Sequence, residues 1–225
     1  MSVLTLVIGN KNYSSWSMRP WVLMKQLDIA FEEVRLRFHS HEWDTQIERW
    51  SPSRLVPVLW RGEHSVWDTL AIMETLHEWF PEKGVWPRDA QARAFARSAS
   101  AEMHAGFRDL RTHMPMNIRA SHPGKGMSPE VRANIDRIER LWSEARRRFG
   151  AGGPFLFGSF SAADAMFAPV VMRFQTYAVS LGEEAARYCE AMRSAPGLRA
   201  WVEEASREKE FVTEDEPYAT APPTR

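Results

Sequence analysis

The sequence predicts an α/β domain followed by an all-helical one. Two observations lead there. The first eighty residues read β-α-β-α-β-β-α, with short β-prone apolar runs alternating with helix-period segments. After the linker Phe80-Pro81-Glu82-Lys83-Gly84-Val85-Trp86-Pro87, no strand pattern of useful length returns.

Residues 3–8 form an apolar run that reads as a buried strand, ended by Gly9 and Asn10. A helix follows over 15–28, with Trp16, Trp21, Leu23, Met24 and Leu27 as apolar positions and Pro20 tolerated near its start. Residues 31–38 alternate as a second strand, and 39–50 read as a short helix. A third strand covers 55–60 with Pro57 inside it. Residues 61–64 form a tight turn, 65–67 a fourth strand, and 68–79 a helix whose apolar side is Ile72, Met73, Leu76 and Trp79.

In the second half, Ala92, Ala96, Ala99, Met103, Phe107, Leu110 and Met114 step by three or four, predicting one long helix over 89–114. Val131 to Phe149 define the next. A helix starting near Ser161 is apolar almost all round, which marks it as central and buried. Two more are expected at 183–194 and 197–208, before an irregular tail at 213–225. The boundaries are thus 1–80, a linker at 81–87, and 88–212.

Composition narrows the function. Lys+Arg and Asp+Glu both number 29, so no global field holds a nucleic acid or an anionic membrane. One cysteine, Cys189, allows no internal disulfide, and the seven histidines show no metal-ligand spacing. The N-terminus lacks the pattern of a signal peptide, and no run reaches the ~20 apolar residues of a membrane span. A cytoplasmic protein is expected, with no nucleic acid, membrane or metal partner.

Three short motifs carry chemistry. Pro57 within a strand removes a ladder donor, and a cis Val56–Pro57 bond would explain it. The Val56 N–H and C=O would then meet a peptide-like ligand as an extra strand does. Asp68-Thr69 opens a helix. That pair suits plain capping, and equally a ligand end bearing both an ammonium and a carboxylate group. Tyr13-Ser14-Ser15-Trp16-Ser17 joins the first strand to the first helix. Its serines suit a cap, or a hydroxyl offered to a thiolate. No histidine-plus-acid pair accompanies them, so they read as hydrogen-bond donors and not as acyl-transfer nucleophiles.

These three motifs, in this order, resemble those of the glutathione transferase family over about residues 3–209. Ser14-Ser15-Trp16-Ser17-Met18-Arg19 looks like the active-site turn of the zeta class, the maleylacetoacetate isomerases. Val56-Pro57-Val58-Leu59 resembles the family's cis-proline strand, and Trp67-Asp68-Thr69-Leu70-Ala71-Ile72 its helix start. Ser161-Ala162-Ala163-Asp164, with Pro169, resembles the capping box of the buried helix.

The resemblance implies a thioredoxin-like N-terminal domain that binds glutathione as co-substrate, and a homodimer. It implies Ser14 or Ser15 at the sulfur, with Trp16, Val56, Pro57, Asp68 and Thr69 along the tripeptide. The implied reaction is thiolate attack on a small electrophile, or glutathione-dependent isomerisation. A non-catalytic binding or regulatory protein of the same fold is the alternative. Trp16 stands where the zeta-like turn carries cysteine, which argues against disulfide exchange. Leu55 stands where many relatives have a basic residue, leaving His39, His41 or Arg54 for the glycyl carboxylate. His104, Arg108 and Arg111, spaced i, i+4, i+7, form a polar stripe that reads either as a solvated helix face or as a face toward the second substrate, which would then be anionic, with Phe107 as an apolar wall. Arg173, a charge in apolar company, is expected to meet an acid or a substrate carboxylate.

Overall fold

The computed structural model describes residues 3–219. A mixed four-stranded sheet forms from β1 (Leu4–Ile8), β2 (Glu32–Arg35), β3 (Val58–Arg61) and β4 (His64–Trp67), in the order β2-β1-β3-β4. β1 runs parallel to β2 and antiparallel to β3, and β3 pairs antiparallel with β4. Side chains alternate across a strand. Leu4, Leu6 and Ile8 of β1 therefore face the large core, with α1 (Ser15–Gln26) and α3 (Thr69–Trp79). Val7 faces the other side and packs with Leu36, Val58 and Ile47 of α2 (His41–Trp50).

The remaining elements are helical. They are α4 (Ala90–Ala105), α5 (Arg108–His113), α6 (Pro129–Phe149), α7 (Ala162–Thr176), α8 (Glu183–Ser194) and α9 (Pro196–Arg207). As its composition predicts, α7 is central. Thirteen consecutive residues, 162–174, are buried, and the helix packs on α1, α4 and α8. No helix among the described residues is long and apolar enough to cross a membrane.

Three expectations are corrected. The third strand starts at Val58, so Pro57 precedes the ladder and takes no donor from it; the Val56–Pro57 bond is cis as expected. The second strand is confined to Glu32–Arg35. The single helix over 89–114 is two helices. Gly106 leaves the helical conformation and Phe107 adopts a left-handed one, φ 55°. A Cβ on Gly106 would lie 2.7 Å from the Glu102 carbonyl, so the break uses the one residue that fits. Periodicity carried across the break because both halves bury the same side. In the tail, Thr213–Asp215 forms a 3₁₀ turn, and residues 220–225 lie outside the described residues.

The Asp164 capping box at the start of α7 holds the helical part together. Its carboxylate, fully buried, accepts from Leu156 N (3.0 Å), Ser161 N (2.9 Å), the Ser161 hydroxyl (3.1 Å) and the Tyr188 hydroxyl (3.1 Å). Burial pushes its pKa up to about 6 against the pull of those donors. Asp164→Ala would leave two buried amides unpaired and is expected to lower the unfolding free energy by about 3 kcal/mol, measured by urea denaturation.

A second carboxylate joins the two halves. Glu208, 6% exposed, follows α9 and accepts from Lys11 N (2.8 Å) and Asn12 N (2.9 Å), just before α1. Arg35 Nη1 adds a third contact at 2.8 Å. Lys11, 1% exposed, in turn reaches Glu33 and Glu204 and lies 4.6 Å from the centroid of the Trp21 ring. Glu208→Ala is expected to cost about 3 kcal/mol and to raise hydrogen exchange at residues 10–13, read by mass spectrometry.

Candidate functional site

The cleft lies between the two halves and has two connected lobes sharing Trp16, Leu55, Val56 and Arg111. The first lobe, about 630 Å³, is lined by the motif residues Val56, Pro57, Asp68 and Thr69, with His104 opposite. The second, about 520 Å³, is lined by Tyr13, Ser14, Ser15, Phe38, Trp43, Pro115, Met116, Arg173 and Asp215.

The serine turn is positioned from below. The Asn10 carbonyl accepts from Tyr13 N and Ser14 N, and the Asn10 side-chain oxygen accepts from Phe38 N at 2.8 Å. Gly9 packs so tightly on Phe38 that a Cβ there would stand 2.3 Å from the ring. Ser14 is the N-cap of α1. Its hydroxyl accepts from Ser17 N and donates to Ser17 Oγ at 2.7 Å, while Ser17 Oγ accepts from Gly9 N at 3.1 Å. Ser14 is therefore occupied in local structure. The Ser15 hydroxyl, at the first helical position, has no partner among the described residues and lines the second lobe. Tyr13 is also occupied. Its hydroxyl donates to Glu216 Oε1 at 2.6 Å and accepts from Arg119 Nη2 at 3.1 Å. Burial, and then Glu216, push its pKa up to about 12.

Asp68 caps α3 through Leu70 N at 2.9 Å, from a left-handed conformation, φ 71°. A non-glycine residue in that region is uncommon and is favoured where function holds it. Its other oxygen stands 3.4 Å from His104 Nε2, across the cleft. Thr69 is buried, and its hydroxyl donates to the Trp16 carbonyl at 3.3 Å, fixing one motif to the next.

Of the four second-substrate candidates, His104 and Arg111 line the cleft and the other two do not. Phe107 sits in the core at the helix break, and Arg108 is exposed to solvent. The backbone breaks at Gly106–Phe107, and of the expected i, i+4, i+7 stripe only His104 and Arg111 reach the cleft. Arg54 pairs outward with Glu48 at 2.8 Å, and His39 lies 3.6 Å from Glu214. Leu55 is 67% exposed at the cleft.

The electrostatic centre is a group of arginines that sequence reading only partly found. Arg19 is fully buried. Its Nε donates to the Met166 carbonyl at 3.1 Å, both terminal nitrogens lack partners, and its guanidinium lies 4.2 Å from the centroid of the Trp16 ring. Arg111 lies 5.5 Å from the same ring, and its Nη1 donates to the His104 carbonyl. Arg173, 3% exposed, donates from Nε to the Met114 carbonyl at 2.8 Å and leaves Nη1 unpartnered. Burial, then the neighbouring arginines, hold the pKa of Arg19 well below its usual value and that of Arg173 at about 10. Arg173 remains charged at neutral pH. Asp215, in the 3₁₀ turn after α9, is the acidic member of the second lobe. No motif marked it, because a charge in a tail has no local pattern. No group of three or more His, Cys, Asp or Glu side chains among the described residues is placed to hold a metal ion.

The comparisons agree with this architecture. The family model of the glutathione S-transferase N-terminal domain matches residues 13–79, and that of the C-terminal domain matches 128–204. Glutathione S-transferase 1 of Dianthus caryophyllus is 30% identical over 103 residues, 46% of each chain. A probable maleylacetoacetate isomerase of Caenorhabditis elegans is 29% identical over 96 residues, 43% of this chain and 44% of the relative. Each match thus spans less than half the length of the relative. A glutathione transferase homologue from Burkholderia, solved with bound glutathione, superposes with a TM-score of 0.68 at 22% identity, covering 90% of this chain and 98% of that one. That likeness shows the fold. With the two domain models together matching most of the chain, in the order that the cleft requires, the chain belongs to the glutathione S-transferase family.

Proposed function

We propose that the protein is a glutathione transferase in which the Ser15 hydroxyl donates to the glutathione sulfur. The observation that carries this is the unpartnered Ser15 hydroxyl at the start of α1, in the lobe it shares with Val56, which also lines the lobe of Asp68 and Thr69. Ser14 and Tyr13 both have their hydroxyls engaged elsewhere. A hydroxyl donor and the positive end of α1 favour the thiolate over the thiol, so the thiol proton passes to solvent near neutral pH.

The tripeptide follows from the same cleft. The Val56 backbone pairs with the cysteinyl unit. Asp68 takes the γ-glutamyl ammonium, and the backbone of Thr69 at the α3 start takes its carboxylate. Trp16 forms the wall between thiol and second substrate. The electrophile occupies the lobe bounded by Tyr13, Pro115 and Met116, and the guanidiniums of Arg111 and Arg173 favour one carrying an anionic group. The thiolate sulfur attacks its electrophilic carbon. Either a leaving group departs, or the adduct forms reversibly at a double bond, rotates and releases the sulfur, which is isomerisation. The likeness to a probable maleylacetoacetate isomerase supports the second outcome. A cytoplasmic homodimer belongs to the same reading.

Glutathione is expected to bind in isothermal titration at millimolar concentration or below, and failure to bind removes this function. Ser15→Ala is expected to lower kcat/KM roughly 100-fold and to raise the pKa of the bound thiol, read from thiolate absorbance. Ser14→Ala is expected to cost about 1 kcal/mol of stability through the lost cap, with a smaller effect on turnover. Glutathione binding without turnover of any electrophile would favour the non-catalytic alternative.

A further inference from the structure

The second lobe holds one charge, Asp215, to which the proposed reaction gives no role. Arg111 and Arg173 line it, and Asp215 lines it from the segment that follows α9. Arg173 is 97% buried by its 3% exposure, yet one guanidinium nitrogen has no partner. No ion pair closes between Asp215 and either arginine among the described residues, although Arg173 and Asp215 lie close enough for each to act on the other's charge. The lobe therefore presents an unpartnered guanidinium nitrogen of Arg173 beside Arg111 and an acid.

The segment that carries Asp215 is tied down and does not hang free. Tyr13 bonds Glu216, Arg119 bonds the backbone carbonyls of Glu208 and Glu210, and Tyr218 donates to the His113 carbonyl at 2.7 Å. His39, from the β2–α2 loop, stands by Glu214. A carboxylate held this way at a cavity wall is a fixed feature that any ligand must meet.

We propose that Asp215 is the charge selector of the second-substrate cavity: set against Arg111 and Arg173, it admits an electrophile with one anionic group and turns away one with two. Of the charged side chains that line the lobe, Arg111 and Arg173 attract an anionic group and Asp215 alone repels one. A second anionic group on the ligand meets Asp215, and like charges brought together disfavour binding. The inference rests on the cleft being the transferase site proposed above. It adds the substrate class and the residue that sets it.

The selector also titrates. Burial, then Glu214, push the Asp215 pKa up to about 6, while Arg173 and His39 pull it down and Glu216 adds to the rise. The groups that face it are Arg173 from α7, Arg111 from α5, Tyr13 from the serine turn, His39 from the β2–α2 loop, and Glu214 and Glu216 beside it. Below that pKa the acid is neutral and the discrimination relaxes.

Ethanesulfonate and ethane-1,2-disulfonate are suitable probes because neither changes charge across the range. Isothermal titration of each into the full chain, with and without glutathione, is the test. At about pH 7.5 the monoanion is expected to bind about tenfold more tightly than the dianion. Asp215→Asn is expected to raise dianion affinity about tenfold and to leave the monoanion within about threefold, whereas Glu214→Gln on the same turn changes neither. At about pH 5 the native chain is expected to show the preference of the Asn variant, an arm that needs no substitution. An unchanged ratio in the Asn variant, a ratio that does not move with pH, tighter binding of the dianion by the native chain, or no binding of either sulfonate would overturn the selector. Loss of glutathione binding with the sulfonate preference intact would remove the transferase reading and not the selector.

Discussion

The Glu208 carboxylate accepts the N–H groups of Lys11 and Asn12, and the geometry of the cleft depends on that clamp. The two partners are 196 and 197 residues apart in sequence. Their pairing places the end of the helical part directly beneath the turn that opens α1. Asn12 extends the join, because its side chain donates to Asn117 Oδ1 at 2.9 Å and accepts from Arg119 N at 2.9 Å. Trp201 Nε1 closes it by donating to the Lys11 carbonyl. A buried carboxylate is costly to desolvate, and three donors offset that cost here. The serine turn is thus held by backbone groups whose partners lie in the other half of the protein. Relative movement of the two halves would shift Ser15 and the arginine lobe together.

Trp16 has the complementary role in electrostatics. Arg19 and Arg111 both approach its ring, and His104 meets it edge-on at 5.0 Å. The face of an indole is electron-rich, so it attracts guanidinium groups without adding a negative charge. Acids in that position would neutralise the arginines and leave a cleft with no pull on an anion. An aromatic ring keeps them in place with their charge intact. This gives a physical reason for tryptophan, and not an acid, at this position. Trp16 is the wall against which the charge of the cleft is organised.

The fold was legible in the sequence because its signals are local. Alternating strands, the proline-rich linker, the apolar α7 and its Ser161–Asp164 box each fit within a few residues. The helix over 89–114 was misread because apolar spacing measures burial, and burial continues past Gly106 while the backbone does not. Arg108 and Phe107 fell with it as cleft residues, whereas His104, before the break, kept its position. Among the serines, composition could not separate Ser14 from Ser15. The difference lies in hydrogen bonds to Ser17 that need coordinates to see. Arg19 was within the recognised motif, but its burial without an acid partner comes from α7, far along the chain.

Asp215 shows the limit most clearly. Nothing around it in sequence distinguishes it from Glu214 or Glu216. Those two have other partners: Glu216 takes the Tyr13 hydroxyl and Glu214 faces His39 on the outside. The 3₁₀ turn alone separates the three, directing the middle acid into the lobe with Arg173. The segment around that turn is tied by Tyr13 to Glu216 and by Arg119 to the Glu208 and Glu210 carbonyls, so the serine turn and the acid are held through shared contacts. Tyr13, in the turn that carries the serine proposed as thiol donor, thus holds the segment that carries the acid proposed as selector.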